Sequence, residues 1–382
     1  MFQRIPIPHY FQSRVKAEIG EIYAYSAISY FARSMMILFE PIFLYSVLGL
    51  SLVEVMWYFA AIYAIYVVMI PLGGKLASLF GYRHVMAMSV PFMVAYWFMV
   101  AGADGNFWLL MISPFFMAAQ KTLLWPAFNA VMARYSDKKE MGSEFGAVYA
   151  IIDLMLILGP VAGGFLAKQY GLQITFIVSA LVFLASAAPL LMTKEIFTPK
   201  VYRFRDTWEY YKTYPKKFLG YMGFGEQAAI FAAWPIFIYI IVKDYQSVGL
   251  LATVASLIAA VLALVIGKGS DKYTRKILLK IGSFFTALVW GARFMASSFF
   301  GVLLIDGLSK AARETAIIPG VTLAYIRAES SHILPYVIFF EQSAAIGTLL
   351  TLLLSILLFS LTGSFVVIFI LAGLVSLLYM FI

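Results

Sequence analysis

Apolar runs of about 20 residues, the length that crosses a bilayer as an α-helix, recur along this chain with short polar breaks between them. The pattern predicts twelve helices, at 21–49, 53–76, 84–103, 106–134, 143–168, 173–193, 218–243, 247–268, 277–296, 299–325, 332–360 and 363–382. The longest hydrophilic stretch separates six of them from six. The expected organisation is a lead-in over 1–20, a six-helix bundle over 21–193, a linker over 194–217 and a second six-helix bundle over 218–382. The lead-in carries Arg4, Arg14, Lys16 and Glu18 with no continuous apolar core before a cleavage-like site. It reads as a segment lying on the membrane surface, not as a signal peptide.

The tenth run, Phe299 to Tyr325, is interrupted by charge. At about 100° per residue, Asp306, Lys310, Arg313 and Glu314 fall within roughly a 100° arc of one helical face. A charge at the bilayer centre costs at least ~2.5–3.5 kcal/mol, so such residues face water or one another. The stripe is either part of a substrate or ion pathway or an ion-pair ladder tying helices together. Other helices carry related polar faces. Arg33 and Glu40 are seven apart on the face of Ser26; Gln120, Lys121, Trp125 and Asn129 surround Pro126; Glu226, Gln227 and Trp234 sit in the seventh run. Asp153 and Glu341 stand alone in the fifth and eleventh. Arg293 lies near a helix end, where its charge is expected to reach the interface.

The halves repeat. Pro126 and Pro319, each preceded five residues earlier by a charge (Lys121, Glu314), are offset by 193 residues, as are Gly74 and Gly267, while Pro41 and Pro235 are offset by 194. Asp153 with Gly159 matches Glu341 with Gly347 at an offset of 188, the difference being a shorter loop. Such repeats are a transporter signature, with the site between the halves near the midplane.

A chain that is 63% hydrophobic and 12% charged is an integral membrane protein. Of the 28 Lys and Arg, 21 fall in loops on the amino-terminal side, and the opposite loops hold only Lys168 and Lys243. Both termini and the linker are therefore expected in the cytoplasm, with the chain in a bacterial-type inner membrane. The net charge of +9 is spread through these loops, which points to the anionic inner membrane face and not to nucleic acid. There is no cysteine, and His9, His84 and His332 are far apart, so neither a thiolate nor a histidine metal site is expected.

Two short turns carry a recognisable motif. After the second helix the chain reads Gly74-Lys-Leu-Ala-Ser78-Leu-Phe-Gly81-Tyr82-Arg83, and after the eighth Gly267-Lys-Gly-Ser-Asp271-Lys272-Tyr-Thr274-Arg275-Lys276. The glycines suit tight turns, the acid a helix cap, and the bases water. These turns, with the twelve helices, the repeat and the basic linker, resemble the major facilitator superfamily and its loop motif G-x-x-x-D-[RK]-x-G-[RK]-[RK]. Ser78 stands where that family usually has Asp, which removes a charge pair from the cytoplasmic latch; a neutral Ser78 can still cap a helix. In the fifth helix Gly146, Gly159, Pro160, Gly163 and Gly164 resemble the family's G-x8-G-x3-G-P-x2-G-G pattern, with Met155 replacing one glycine. That pattern is commoner among members that export solute in exchange for protons.

The resemblance implies an all-α fold of two pseudo-symmetric six-helix bundles whose first, fourth, seventh and tenth helices line a central cavity. It places Arg33, Glu40, Gln120, Lys121, Trp125, Asn129, Glu226, Gln227, Trp234, Asp306, Lys310, Arg313 and Glu314 around that cavity. Aromatic rings among these charges suit an organic cation or a flat ring. Glu40, Asp153, Glu226 and Glu341 are the acids placed to couple protons to transport. The expected function is secondary active transport of a small organic solute by a monomer, as proton-coupled export, with the proton gradient as energy source and no cofactor. The alternatives are a uniporter or importer of sugar, nutrient or lysolipid, and a receptor or scaffold on the same fold. An enzyme is not expected: no nucleophile has a base at suitable spacing, and no glycine loop for phosphate follows a strand.

Overall fold

The computed structural model describes residues 17–135, 141–192, 202–270 and 274–382. The lead-in before residue 17 and the loop bases Lys138, Lys139 and Lys272, with Asp271, lie outside them; Gly146 and Gly267 fall in helical stretches whose side chains are not described. Among the described residues ten helices are long and apolar enough to cross a membrane. They are α1 (Gly20–Ser46), α2 (Leu52–Phe80), α3 (Tyr82–Gly102), α4 (Phe107–Tyr135), α5 (Met141–Tyr170), α6 (Leu172–Leu190), α7 (Pro215–Val242), α8 (Tyr245–Ser270), α9 (Arg275–Met295) and α11 (Ile333–Thr362). Two more complete the twelve: α10 (Phe299–Glu329), set apart by its charges, and α12 (Phe365–Phe381), which is apolar but shorter. In lipid every backbone polar group must bond internally, which is why these runs are helices throughout.

Local chemistry sets the ends. Ser51 and Glu54 form a reciprocal capping box at the start of α2, and the side chains of Ser298 and Ser364 cap α10 and α12. Gly81 (φ 90°) and Gly171 (φ 86°) each turn the chain through a single residue between antiparallel helices, a conformation closed to most side chains.

Neither α1 nor α7 is the continuous helix expected. α1 is broken at Ile37–Leu38 into Ala17–Met36 and Phe39–Ser46, and α7 passes through a 3₁₀ turn at Gly223–Glu226 and a π turn at Ala229–Ala233. The repeated proline accounts for the break in α1 and the π turn of α7. Pro41 and Pro235 have no N–H for the carbonyl four residues earlier, at Ile37 and Phe231, and their rings crowd it. The break separates Arg33 from Glu40, which point to different neighbours.

Seams between the halves differ at the two ends of the molecule. At the end away from the linker, α5 lies backbone to backbone against α1 of its own half and α8 of the other. A Cβ on Gly163 would sit 2.1 Å from the Met35 carbonyl oxygen, one on Gly159 1.7 Å from Ser34 Oγ, and one on Gly249 2.3 Å from the Pro160 carbonyl oxygen. Gly164 faces Tyr245 and Gly249. Tyr245 and Ser46 hydroxyls meet at 3.3 Å, and Lys168 pairs with Asp244 at 3.5 Å. The Ser247 hydroxyl and backbone N–H hold the Asp244 carboxyl below its ordinary value, so this carboxylate stays ionised through neutral pH. At the linker end α2 meets α11, and Gly74 packs on Ile338.

The first loop motif departs from expectation. Ser78 caps nothing: it lies inside α2, its hydroxyl donating to the Lys75 carbonyl at 2.7 Å. Arg83, expected in water, is 1% exposed and paired with Glu21 of α1, a partner 62 residues away in sequence. Arg275 is exposed at the start of α9.

Gly163→Ala is expected to lower the unfolding midpoint in detergent by the equivalent of ~1–3 kcal/mol, because a backbone carbonyl cannot yield. Gly291→Ala, with nothing within 4 Å of the added carbon, should be neutral or stabilising. Differential scanning fluorimetry of both variants separates close packing from a general cost of adding a methyl group.

Candidate functional site

A cavity of about 290 Å³ lies between the halves. From the first half, Tyr30 (α1), Tyr63 and Tyr66 (α2), and Lys121, Trp125 and Asn129 (α4) face it; from the second come Phe224, Gln227 and Phe231 (α7), Arg313 and Tyr325 (α10) and Phe340 and Glu341 (α11). Of the expected cavity residues, Lys121, Trp125, Asn129, Gln227 and Arg313 line it. The others are placed elsewhere.

In the second half both buried acids are paired with bases. The Glu226 carboxylate accepts from Arg313 Nε at 2.7 Å, Trp290 Nε1 at 2.6 Å and the Tyr379 hydroxyl at 3.0 Å. Asp306 accepts from Trp234 Nε1 at 2.8 Å and pairs with Lys310 at 3.0 Å. Lys310 also donates to Ser256 and to the Ala252 carbonyl on α8. Arg293 does not reach the interface as expected. It is 3% exposed, with its guanidinium 3.6 Å and 4.1 Å from the ring centroids of Trp290 and Trp234, and it donates to Ser309 at 2.6 Å. A desolvated cation on an aromatic face gains about 2 kcal/mol, which offsets part of its burial cost. The stripe on α10 thus splits: Asp306 and Lys310 belong to this internal network, and only Arg313 reaches the cavity.

The first half is left unbalanced. Lys121 Nζ lies 4.9 Å and 5.5 Å from the Tyr63 and Tyr66 rings, and Arg33 lies 5.1 Å from Phe183 and 5.9 Å from Trp125. Among the described residues neither base has a carboxylate at ion-pair distance, and Arg33 Nη2 is buried without a hydrogen-bond partner. Glu40 accepts from Tyr96 at 2.5 Å, and Tyr96 in turn from Tyr58 at 3.1 Å. Gln120 is fully buried inside this half with both amide atoms unpaired. Asp153 and Glu314 are half-buried electrostatic neighbours across the α5–α10 gap.

Glu341 is the acid that joins the halves. It projects from α11 and accepts from the Tyr66 hydroxyl of α2 at 3.0 Å and from the Asn129 amide of α4. Tyr325 of α10 donates to the Asn129 carbonyl oxygen. The next residue adds a second rung, Gln342 Nε2 donating to the Val67 carbonyl at 3.0 Å. Sequence reasoning missed Tyr63, Tyr66, Tyr325, Trp290 and Tyr379. The tyrosines of α2 recur at helical spacing in an otherwise apolar run, a signal that was available; Trp290 precedes Arg293 by one turn.

Replacing Glu226 by Gln leaves the half-buried Arg313 without its counter-charge and should destabilise the protein, by less than the ~3–5 kcal/mol of a fully buried pair because Arg313 keeps access to the cavity. In Glu226→Gln/Arg313→Met most of that loss should return. Equal unfolding midpoints for the single and double variants would show that the pair is not a mutual neutralisation.

Comparison with known proteins comes to the same architecture. Residues 22–225 match the family model of the Major Facilitator Superfamily. Solved structures of similar fold include a POT family transporter, PepTSo (TM-score 0.75, 14% identity, covering 95% of this chain and 96% of that one). A D-xylose-proton symporter (0.72, 12%, covering 95% and 96%) and a POT family transporter in complex with 5-aminolevulinic acid (0.72, 13%, covering 95% and 94%) are similar. No curated protein sequence matches. The family match spans more than half of the 382 residues and the architecture it implies is the one observed, so the chain belongs to the major facilitator superfamily of multi-pass membrane transporters.

Proposed function

We propose that the chain moves a small organic anion or zwitterion by alternating access, coupled to protons through Glu341. One observation carries this reading: a single carboxylate in the cavity wall is held by hydrogen bonds from two helices of the opposite half. Hydrogen bonds to an ionised acceptor are roughly twice as strong as neutral ones, so protonating Glu341 weakens the bridge and favours separation of the halves at the linker end. A proton then shifts the conformational equilibrium by its different affinity for the two states. Among the other coupling acids, Glu226 is permanently engaged by Arg313, Glu40 bonds within its own half, and Asp153 has no ion pair among the described residues.

The solute class follows from charge balance. Lys121, in the cavity wall, has no carboxylate at ion-pair distance among the described residues, and the Tyr63 and Tyr66 rings already carry its cation, which disfavours an organic cation in the same place. A carboxylate on the solute would complete the set. The cavity volume, at the low end of ligand pockets, suits a small molecule. The similar folds bind or carry 5-aminolevulinic acid, a conjugated peptide and D-xylose. For an anion the natural coupling is symport, the proton offsetting its charge. Export by proton exchange is the second reading, favoured by the glycine face of α5, which seals the end away from the linker. In both readings the protein works as a monomer in an inner membrane, with its termini and linker in the cytoplasm and the proton gradient as energy source.

In proteoliposomes, an imposed pH gradient should drive accumulation of a labelled solute from a panel of 5-aminolevulinate, dipeptides and D-xylose. Glu341→Gln should abolish accumulation while retaining exchange between equal pH compartments; pumping intact in that variant would sink the assignment. Lys121→Gln should raise the half-saturation concentration at least ~10-fold, the loss of one charge-assisted contact, for an anionic solute only. The sign of the effective gradient decides between symport and exchange.

A further inference from the structure

A second cleft lies at the linker, outside the cavity. The linker helix Phe204–Thr213 presents Phe204, Trp208 and Tyr211, at i, i+4 and i+7, to a space of about 390 Å³ closed by Phe218 of α7 and by Gln342 and Ile346 of α11. Phe204 and Trp208 are 43% and 51% exposed, although Thr207 on the adjoining face is fully buried and donates to the Pro335 carbonyl. Ile346 is thirteen residues into α11, roughly 20 Å of rise, so the cleft runs from the linker into apolar depth. Its mouth is basic. Arg203 and Arg205 are balanced by Asp206 and Glu209, which leaves the exposed Lys212 and Lys216 beside Tyr211 and Pro215.

We propose that this cleft binds an anionic phospholipid, with an acyl chain along Phe204, Trp208 and Phe218 and the phosphate at Lys212 and Lys216. An amphipathic helix with a tryptophan at the interface and an excess of lysine matches a lipid with an anionic head group and no other partner as well. The occupant touches the linker-end seam directly. Tyr211 donates to Gln342 Oε1 at 3.0 Å, and Gln342 in turn bonds Val67, one residue from the Tyr66–Glu341 rung. A bound lipid therefore holds the linker helix against the seam and favours its closed form.

The full chain in detergent, titrated with dioleoyl phosphatidylglycerol or dioleoyl phosphatidylcholine, should show a rise in unfolding midpoint that is larger with phosphatidylglycerol. Lys212→Gln/Lys216→Gln should equalise the two lipids, and Lys280→Gln on α9 should not. Phe204→Ala should abolish the response. Brominated phosphatidylglycerol should also quench the fluorescence of wild type more than that of Trp208→Phe, a readout independent of stability. Equal stabilisation by both lipids in wild type, or undiminished selectivity without the two lysines, would overturn the assignment; so would equal quenching of Trp208→Phe.

Discussion

Charge inside hydrocarbon must be neutralised, hydrated or put to use, and the two halves of this protein meet that constraint differently. The second half pairs its acids internally: Asp306 with Lys310 and Arg293, Glu226 with Arg313, both carboxylates held further by Trp234, Trp290 and Tyr379, while the extra base, Arg293, rests on two indole rings. Such a network, once formed, is costly to open. The first half keeps two bases on aromatic faces and leaves its balance to groups across the cavity or to a solute. A stiff half facing an unsatisfied one is a suitable arrangement for a site whose occupant changes the fit between them.

The seams follow from the same division. Away from the linker, α5 and α8 touch through glycines and main-chain oxygens, contacts that depend on shape and change little with pH. At the linker end the closure between α2, α4, α10 and α11 runs through Tyr66, Asn129, Tyr325 and Glu341, contacts that depend on one ionisable group. In the proposed mechanism protonation acts on the linker-end gate and leaves the other to packing.

Much of this was legible in the sequence because it is periodic or paired at short range. The twelve spans, the polar helices, the equivalence of Pro41 with Pro235 and the unusual charge of α10 are all read from spacing. Their consequences were harder. Pro41 marks the break in α1, yet the residues that break, Ile37 and Leu38, carry no polar signal of their own. Arg293 looked like an interfacial residue because its place along the helix says nothing of Trp234, 59 positions earlier, and Arg83 looked solvated because Glu21 belongs to another helix. A helical face tells which residues share a direction, not what they meet, so Asp306 and Arg313 share a stripe and pair with different partners.

Proton coupling through Glu341 requires that its charge hold the linker end closed. Spin labels at Phe80 on α2 and Ser331 before α11, both exposed and on opposite halves, report that distance directly by pulsed electron resonance. In wild type the distance distribution should lengthen as pH falls, and Glu341→Gln should show the long distance at every pH. A distribution unchanged by both pH and the substitution would contradict the account.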